Sequence, residues 1–189
     1  MSDLTALPEG LPAPEDDGAC DHLVGLRVPA LDLPATTGGT IDLSKRNAAR
    51  TVVFCYPRTG RPGEPLPEGW DAIPGARGCT PQSCAFRDLH ADFAARGAEV
   101  FGLSAQDTAY QREMAERLHL PFPVLSDAGL RFAEALRLPT FQVETMRLIR
   151  RLTLVIRAGV VEHALYPVFP PDRSAADALG WLDAHPLTR

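Results

Sequence analysis

Along this chain, short apolar runs alternate with longer stretches in which apolar residues recur at helical spacing. Residues 28–34 and 40–43 read as two short strands folded about Gly38-Gly39, a hairpin turn. Thr51-Val52-Val53-Phe54-Cys55-Tyr56 is a continuous apolar run, as expected of a central strand buried on both faces, and Pro57 ends it. A helix is predicted from Thr80, with Cys84, Leu89, Phe93 and Ala94 on its apolar stripe and Arg87, Asp88 and Asp92 outward. Thr80-Pro81 reads as its N-cap and first helical residue. There follow a strand over 99–104, a helix over 107–118 capped by Asp107 or Thr108, a strand over 122–127 and a helix over 128–137. One long strand over 146–156 then turns at Ala158-Gly159 into 160–164, and a helix over 173–184 comes last. Strands alternating with helices predict an α/β fold, a parallel sheet covered on both faces.

Composition narrows this picture. With 189 residues, 45% hydrophobic and 23% charged, the chain can bury one full core, and residues 23–189 are expected to form a single domain. Residues 1–22 hold prolines, six acidic groups and no apolar period, so a disordered or extended tail is expected there. A net charge of −5, with no basic block beyond 147–151, argues against a nucleic-acid partner. No apolar run has transmembrane length, and the N-terminus lacks the basic start and apolar core of a secretory signal. Four cysteines do not make a disulfide scaffold, and a reducing cytoplasm is the expected location.

Two of those cysteines carry the candidate chemistry. Cys79 sits where a loop meets a helix N-terminus, and there unpaired amides and the helix dipole favour an anion and hence a nucleophilic thiolate. Cys84 lies within the same helix, where no anion site exists, and should remain a thiol until called upon. Five helical residues separate the two Cα atoms by about 8 to 9 Å, whereas a disulfide tolerates about 7 Å, so pairing would require the first turns to unwind. Two blander readings stand beside this one. Both thiols could be packing residues, since free cysteine is among the most buried residue types. A zinc site would need a second Cys or His pair at comparable spacing, and none follows. Cys55 reads as core and Cys20 as an incidental thiol, although a mobile tail could bring Cys20 near Cys79. The five histidines are scattered.

The segment Gly78-Cys79-Thr80-Pro81-Gln82-Ser83-Cys84-Ala85-Phe86-Arg87-Asp88 resembles the active-site segment of the peroxiredoxins, specifically the Q type or bacterioferritin comigratory proteins. Gly25, Pro29, Gly38-Gly39 and Leu43 resemble that family's N-terminal hairpin, 120–127 its Leu-Pro-Phe-x-x-Leu-x-Asp segment, and 151–156 its Arg-x-Thr-Phe-x-Ile strand. The resemblance implies a thioredoxin-like fold, a central mixed sheet with helices on both faces. It implies Cys79 as peroxidatic and Cys84 as resolving cysteine, with Arg151 holding the thiolate and polarising the peroxide and Pro57, Thr59 and Gly78 about the substrate. Peroxide would oxidise Cys79 to a sulfenic acid and Cys84 would condense with it to a disulfide. Thioredoxin or a glutaredoxin-like dithiol would restore both thiols. No metal or flavin is implied, no membrane partner is expected, and the Q type suggests a monomer.

One part of the pattern departs. The family joins strand to helix by a short Pro-x-x-x-Thr-x-x-Cys loop, whereas 21 residues, 58–78, lie between Pro57 and Cys79 here, with Ala76 three positions before the cysteine. Thr59 is the only hydroxyl residue in that insert. Either the loop folds back so that Thr59 takes the threonine's part, or backbone amides at Gly78 and Cys79 together with Arg151 suffice; the second is the expectation. Trp70 and Ile73 suggest that part of the insert packs as a lid over Cys79. The altered loop leaves two other functions open, a thiol–disulfide oxidoreductase acting on protein disulfides and a redox sensor that signals by helix unwinding.

Overall fold

A computed structural model describes residues 7–187. Strands β1 (Asp32–Pro34) and β2 (Thr40–Asp42) pair antiparallel across the Gly38-Gly39 turn, both glycines having positive φ. Strand β3 (Arg50–Cys55) is buried at every position, as its unbroken apolar run requires. The long loop then leads into helices α1 (Cys79–Asp88) and α2 (His90–Ala95). Strand β4 (Ala98–Ser104), helix α3 (Thr108–Arg117), strand β5 (Val124–Ser126) and helix α4 (Arg131–Leu136) continue the alternation. The carboxylate of Asp107 accepts from the Tyr110 amide at 2.7 Å and caps α3. Strands β6 (Thr140–Val143) and β7 (Met146–Ile149) form a hairpin apart from the main sheet. Strands β8 (Leu152–Arg157) and β9 (Val160–Leu165) return to the main sheet, and helix α5 (Ser174–Ala184) follows.

The main sheet runs β5-β4-β3-β8-β9, parallel from β3 to β5 and antiparallel through β8 and β9. Side chains alternate between its faces. Val53, Cys55, Leu103, Leu152 and Leu154 pack with Phe132 and Leu136 of α4 and with the N-terminal hairpin. Val52, Phe54, Val100 and Val155 pack on the other face with Phe86, Phe93, Met114 and Leu179, which come from the remaining four helices. This is the thioredoxin-like α/β architecture expected from the resemblance. Its register places Phe54 opposite Thr153, so β3, which leads towards Cys79, lies beside the strand that Arg151 precedes.

Three local expectations are corrected. The single strand expected over 146–156 is two: β7 pairs with β6, the chain bends at Arg150-Arg151, and the Arg150 amide donates to the Pro139 carbonyl at 2.8 Å. A continuous apolar run is compatible with either arrangement, because it reports burial and not the pairing partner. The helix that carries the cysteines starts two residues earlier than expected, with Gly78 as N-cap and Cys79 as its first residue; Thr80 lies within the first turn. It also breaks at Leu89, so the stripe expected to run unbroken to Ala94 belongs to two helices.

The insert and the β6–β7 hairpin fold onto each other. Trp70 and Ala76 share a small core with Val143 and Leu148, flanked by Leu66, Ile73, Phe141 and Met146. Residues 7–22 contain no helix or strand, yet Cys20 is packed in the core and the Tyr166 hydroxyl donates to Asp17 at 3.0 Å.

Phe86 anchors the far half of α1. Its ring is fully buried and stacks on Phe54 at 4.3 Å and Phe93 at 5.5 Å between centroids. Phe86→Ala is therefore expected to cost about 3 to 5 kcal/mol of unfolding free energy in a denaturant titration. An unchanged midpoint would show that α1 is not held through this ring.

Candidate active site

The chain enters α1 through Gly78, whose φ of 100° belongs to the left-handed region. A side chain there is barred twice over, because a Cβ would lie 2.6 Å from the Pro171 ring and 2.7 Å from the Leu7 side chain. Only this tight entry makes Cys79 the first helical residue, beside amides that have no partner within the helix. Cys79 is 3% exposed, and its carbonyl accepts from the Ser83 hydroxyl at 3.0 Å.

Arg151 reaches the same point from the bend between β7 and β8. Its Nη2 lies 3.2 Å from the Cys79 Sγ and also donates to the carbonyls of Gly75, Ala76 and Arg77 at 3.3, 3.2 and 3.1 Å. Nη1 donates to the Gln82 Oε1. The Gln82 amide in turn donates to the Ser174 hydroxyl at 3.1 Å, and that hydroxyl pairs with Thr153 at 3.1 Å. Gln82, Ser174 and Thr153 are all essentially solvent-free, so the guanidinium is fixed by three elements, α1, α5 and β8.

The charge balance is what makes this arrangement informative. A guanidinium carries its charge throughout the ordinary pH range and is costly to bury without a counter-charge. Arg151 is 3% exposed and has no carboxylate partner among the described residues. Of the groups it touches, only the Cys79 sulfur can become an anion.

Burial, reinforced by the carboxylates of Asp17, Asp16 and Asp21, pushes Cys20 up to about 12. Burial likewise raises Cys55 far above the usual thiol range. Cys84, half-buried in the second turn of α1, is raised chiefly by burial, with Arg87 and Arg117 opposing and Asp88 adding to the shift. All four cysteines are free thiols.

Beside the Cys79 sulfur lies a chamber of about 20 Å³, walled by the insert and the start of α1, including Arg58, Thr59, Leu66, Trp70, Gly78 and Cys79. The loop thus folds back to bring Thr59 to this wall. The Thr59 hydroxyl and amide both donate to Gln106 Oε1, at 3.1 and 2.9 Å, and Gln106 Nε2 donates to the Thr59 carbonyl at 3.2 Å. Pro57 is buried at the mouth of the insert but does not line the chamber. The structure therefore groups Cys79, Arg151, Gly78 and Thr59 and leaves Pro57 and Cys84 outside. Gln82, Ser174 and Gln106 are not among the residues the sequence singles out. Gln82 offered a signal, a polar residue three positions after Cys79 on a helix packed against the sheet; Ser174 and Gln106 offered none.

Residues 23–179 match the family described as Redoxin. Peroxiredoxin Q, chloroplastic, from Oryza sativa subsp. japonica is 32% identical over 156 residues, covering 82% of this chain, which spans only 64% of the rice protein's length. The protein of that name from Triticum aestivum is 31% identical over 175 residues, covering 89% of this chain and 73% of the wheat protein. Among solved structures, peroxidoxin BcpB from Mycobacterium tuberculosis superposes with a TM-score of 0.69 at 28% identity, covering 86% of this chain and 97% of that one. Xanthomonas campestris peroxiredoxin Q, at 22% identity and a TM-score of 0.67, covers 86% of this chain and 98% of its own and shows the shared fold. Since the match runs from Leu23 in the first core segment into α5 and the wheat relative carries it across most of both chains, this chain belongs to the redoxin family, among the Q-type peroxiredoxins.

Proposed function

We propose that this chain is a thiol-dependent peroxidase in which Cys79 is the attacking sulfur. The observation that carries the reading is the buried Arg151 guanidinium, 3.2 Å from that sulfur and without a carboxylate partner among the described residues. The thiolate attacks the terminal oxygen of a hydroperoxide; the S–O bond forms as the O–O bond breaks, sulfur is oxidised to the sulfenic acid, and the departing oxygen takes a proton and leaves as water or alcohol. Arg151 stabilises both the starting anion and the charge developing on the peroxide oxygens. Gly78 and Thr59 shape the chamber wall, with Pro57 fixing the entry of the insert.

The same geometry favours peroxide over a protein disulfide as the oxidant. A chamber of about 20 Å³ holds roughly one water-sized molecule, which suits an O–O group and excludes a polypeptide. Cys84 then condenses with the sulfenic acid, forming the S–S bond and releasing water. Because α1 is continuous from Cys79 to Asp88, the two sulfurs meet only when its first turns unwind, with Phe86 as the fixed point beyond them. An external dithiol of the thioredoxin or glutaredoxin kind would reduce the exposed disulfide by exchange. A reducing compartment such as the cytoplasm suits four free thiols, and the chain would act as a monomer. Among the described residues no helix is long and apolar enough to cross a membrane.

In a peroxide-consumption assay with an excess of dithiol, Cys79→Ser is expected to abolish turnover, while Cys84→Ser, treated with peroxide in the absence of dithiol, consumes one equivalent and accumulates a dimedone-reactive sulfur at position 79. Consumption undiminished in Cys79→Ser would end this reading. The disulfide step should also depend on pH. Since burial raises the Cys84 thiol, its thiolate is scarce at neutrality and grows about tenfold per pH unit below its titration point, so disulfide formation should accelerate from pH 6 to 8. A stopped-flow phase for this step that is flat over that range would contradict the assignment of Cys84.

A further inference from the structure

The chamber at Cys79 is too small for anything beyond the hydroperoxyl head, so the organic part of a larger substrate must lie elsewhere. The insert supplies a place. Its outer curl encloses a concavity of about 730 Å³ lined by Arg61, Glu64, Leu66, Trp70, Asp71 and Ala72 among others. That volume lies within the range of small-molecule sites, roughly 300 to 1,000 Å³. Leu66 and Trp70 belong both to this concavity and to the Cys79 chamber, so two side chains form the partition between groove and sulfur. Trp70 is 3% exposed and held against the β6–β7 hairpin, while Leu66 is only partly buried.

We propose that this groove binds the organic tail of an uncharged hydroperoxide, with the O–O group passing between Leu66 and Trp70 into the chamber. The proposal rests on the peroxidase reading and assigns the insert its substrate class. The apolar contribution comes from Leu66, Trp70 and Ala72. Charge works against the anionic alternative. The groove face carries one cation, Arg61, against the carboxylates of Glu64 and Asp71. Arg61 is already shared between Glu64 at 3.7 Å and Glu113 at 3.9 Å and stacks over Tyr110 at 4.0 Å. Glu64 and Asp71 are paired in turn with Arg61 and Arg77, at 3.7 and 3.4 Å, so a fatty-acid carboxylate would meet cations that are already engaged, whereas an alkyl, aryl or esterified hydroperoxide meets only surface it can cover. The reaction at sulfur is unchanged: the terminal oxygen goes to Cys79, and the alkoxide takes a proton and leaves through the groove as the alcohol.

The test compares second-order rate constants for oxidation of Cys79 by cumene hydroperoxide and by hydrogen peroxide, in the wild-type chain and in Ala72→Trp, which fills the groove from an exposed position. The ratio of cumene hydroperoxide to hydrogen peroxide rate constants is expected to fall by about tenfold or more in the variant, the discrimination that apolar pocket contacts typically supply. Should Ala72→Trp fail to fold by circular dichroism, Ala72→Leu carries the same test with a smaller shift. A ratio unchanged in a folded variant overturns the groove assignment. Linoleic acid hydroperoxide is expected to react more slowly than its methyl ester; equal rates overturn the preference for an uncharged tail. Absence of any wild-type reaction with either peroxide would instead remove the peroxidase reading itself.

Discussion

The site depends on a positive charge buried without a carboxylate. Arg151 is almost completely removed from solvent, and what surrounds it is three carbonyls, one amide oxygen and one sulfur. Carbonyl dipoles lower the cost of that burial but cannot cancel a unit charge, and a lone buried ion is among the most expensive things a fold can contain. The sulfur at the head of α1 is the one neighbour able to supply the missing charge. Helix amides and guanidinium thus converge on the same atom.

Much of the surrounding structure can be understood as fixing those two groups. The antiparallel pairing of β3 with β8 brings the strand that leads towards Cys79 beside the strand that Arg151 precedes. The relay from Thr153 through Ser174 to Gln82 then sets the amide that grips the guanidinium, and it does so without any further charge. Gly78 completes the arrangement, since its left-handed φ and the contact with Pro171 and Leu7 leave no room for a side chain at the entry to α1. The half of α1 beyond Cys84 is bound through stacked rings, whereas the half bearing Cys79 is buried and tied through Gln82 to Arg151 and Ser174.

The sheet was legible because its evidence is local: an unbroken apolar run at 51–56, a Gly-Gly turn, and strands alternating with helices. Cys79 was legible because its position at a helix start has a direct electrostatic meaning, and Arg151 because the family resemblance pointed to it. What stayed hidden was non-local. Nothing in 146–156 shows that its first part pairs with 140–143 in a hairpin that packs against Trp70 of the insert. Ser174 and Gln106 become part of the site only through contacts 92 and 47 residues away in sequence. Thr59 was weighed as a stand-in for the missing threonine, yet only the folded loop shows it at the chamber wall with its hydroxyl proton given to Gln106.

The contact between Arg151 and Cys79 can be tested alone. Stopped-flow measurement of the second-order rate constant of Cys79 with hydrogen peroxide in Arg151→Met should show a fall of about a hundredfold or more, the scale of losing a donor to developing oxyanion charge. Gln82→Leu, which leaves the guanidinium in place but unguided, should fall by less. A folded Arg151→Met protein that reacts at the wild-type rate would contradict the claim that this buried charge powers the site.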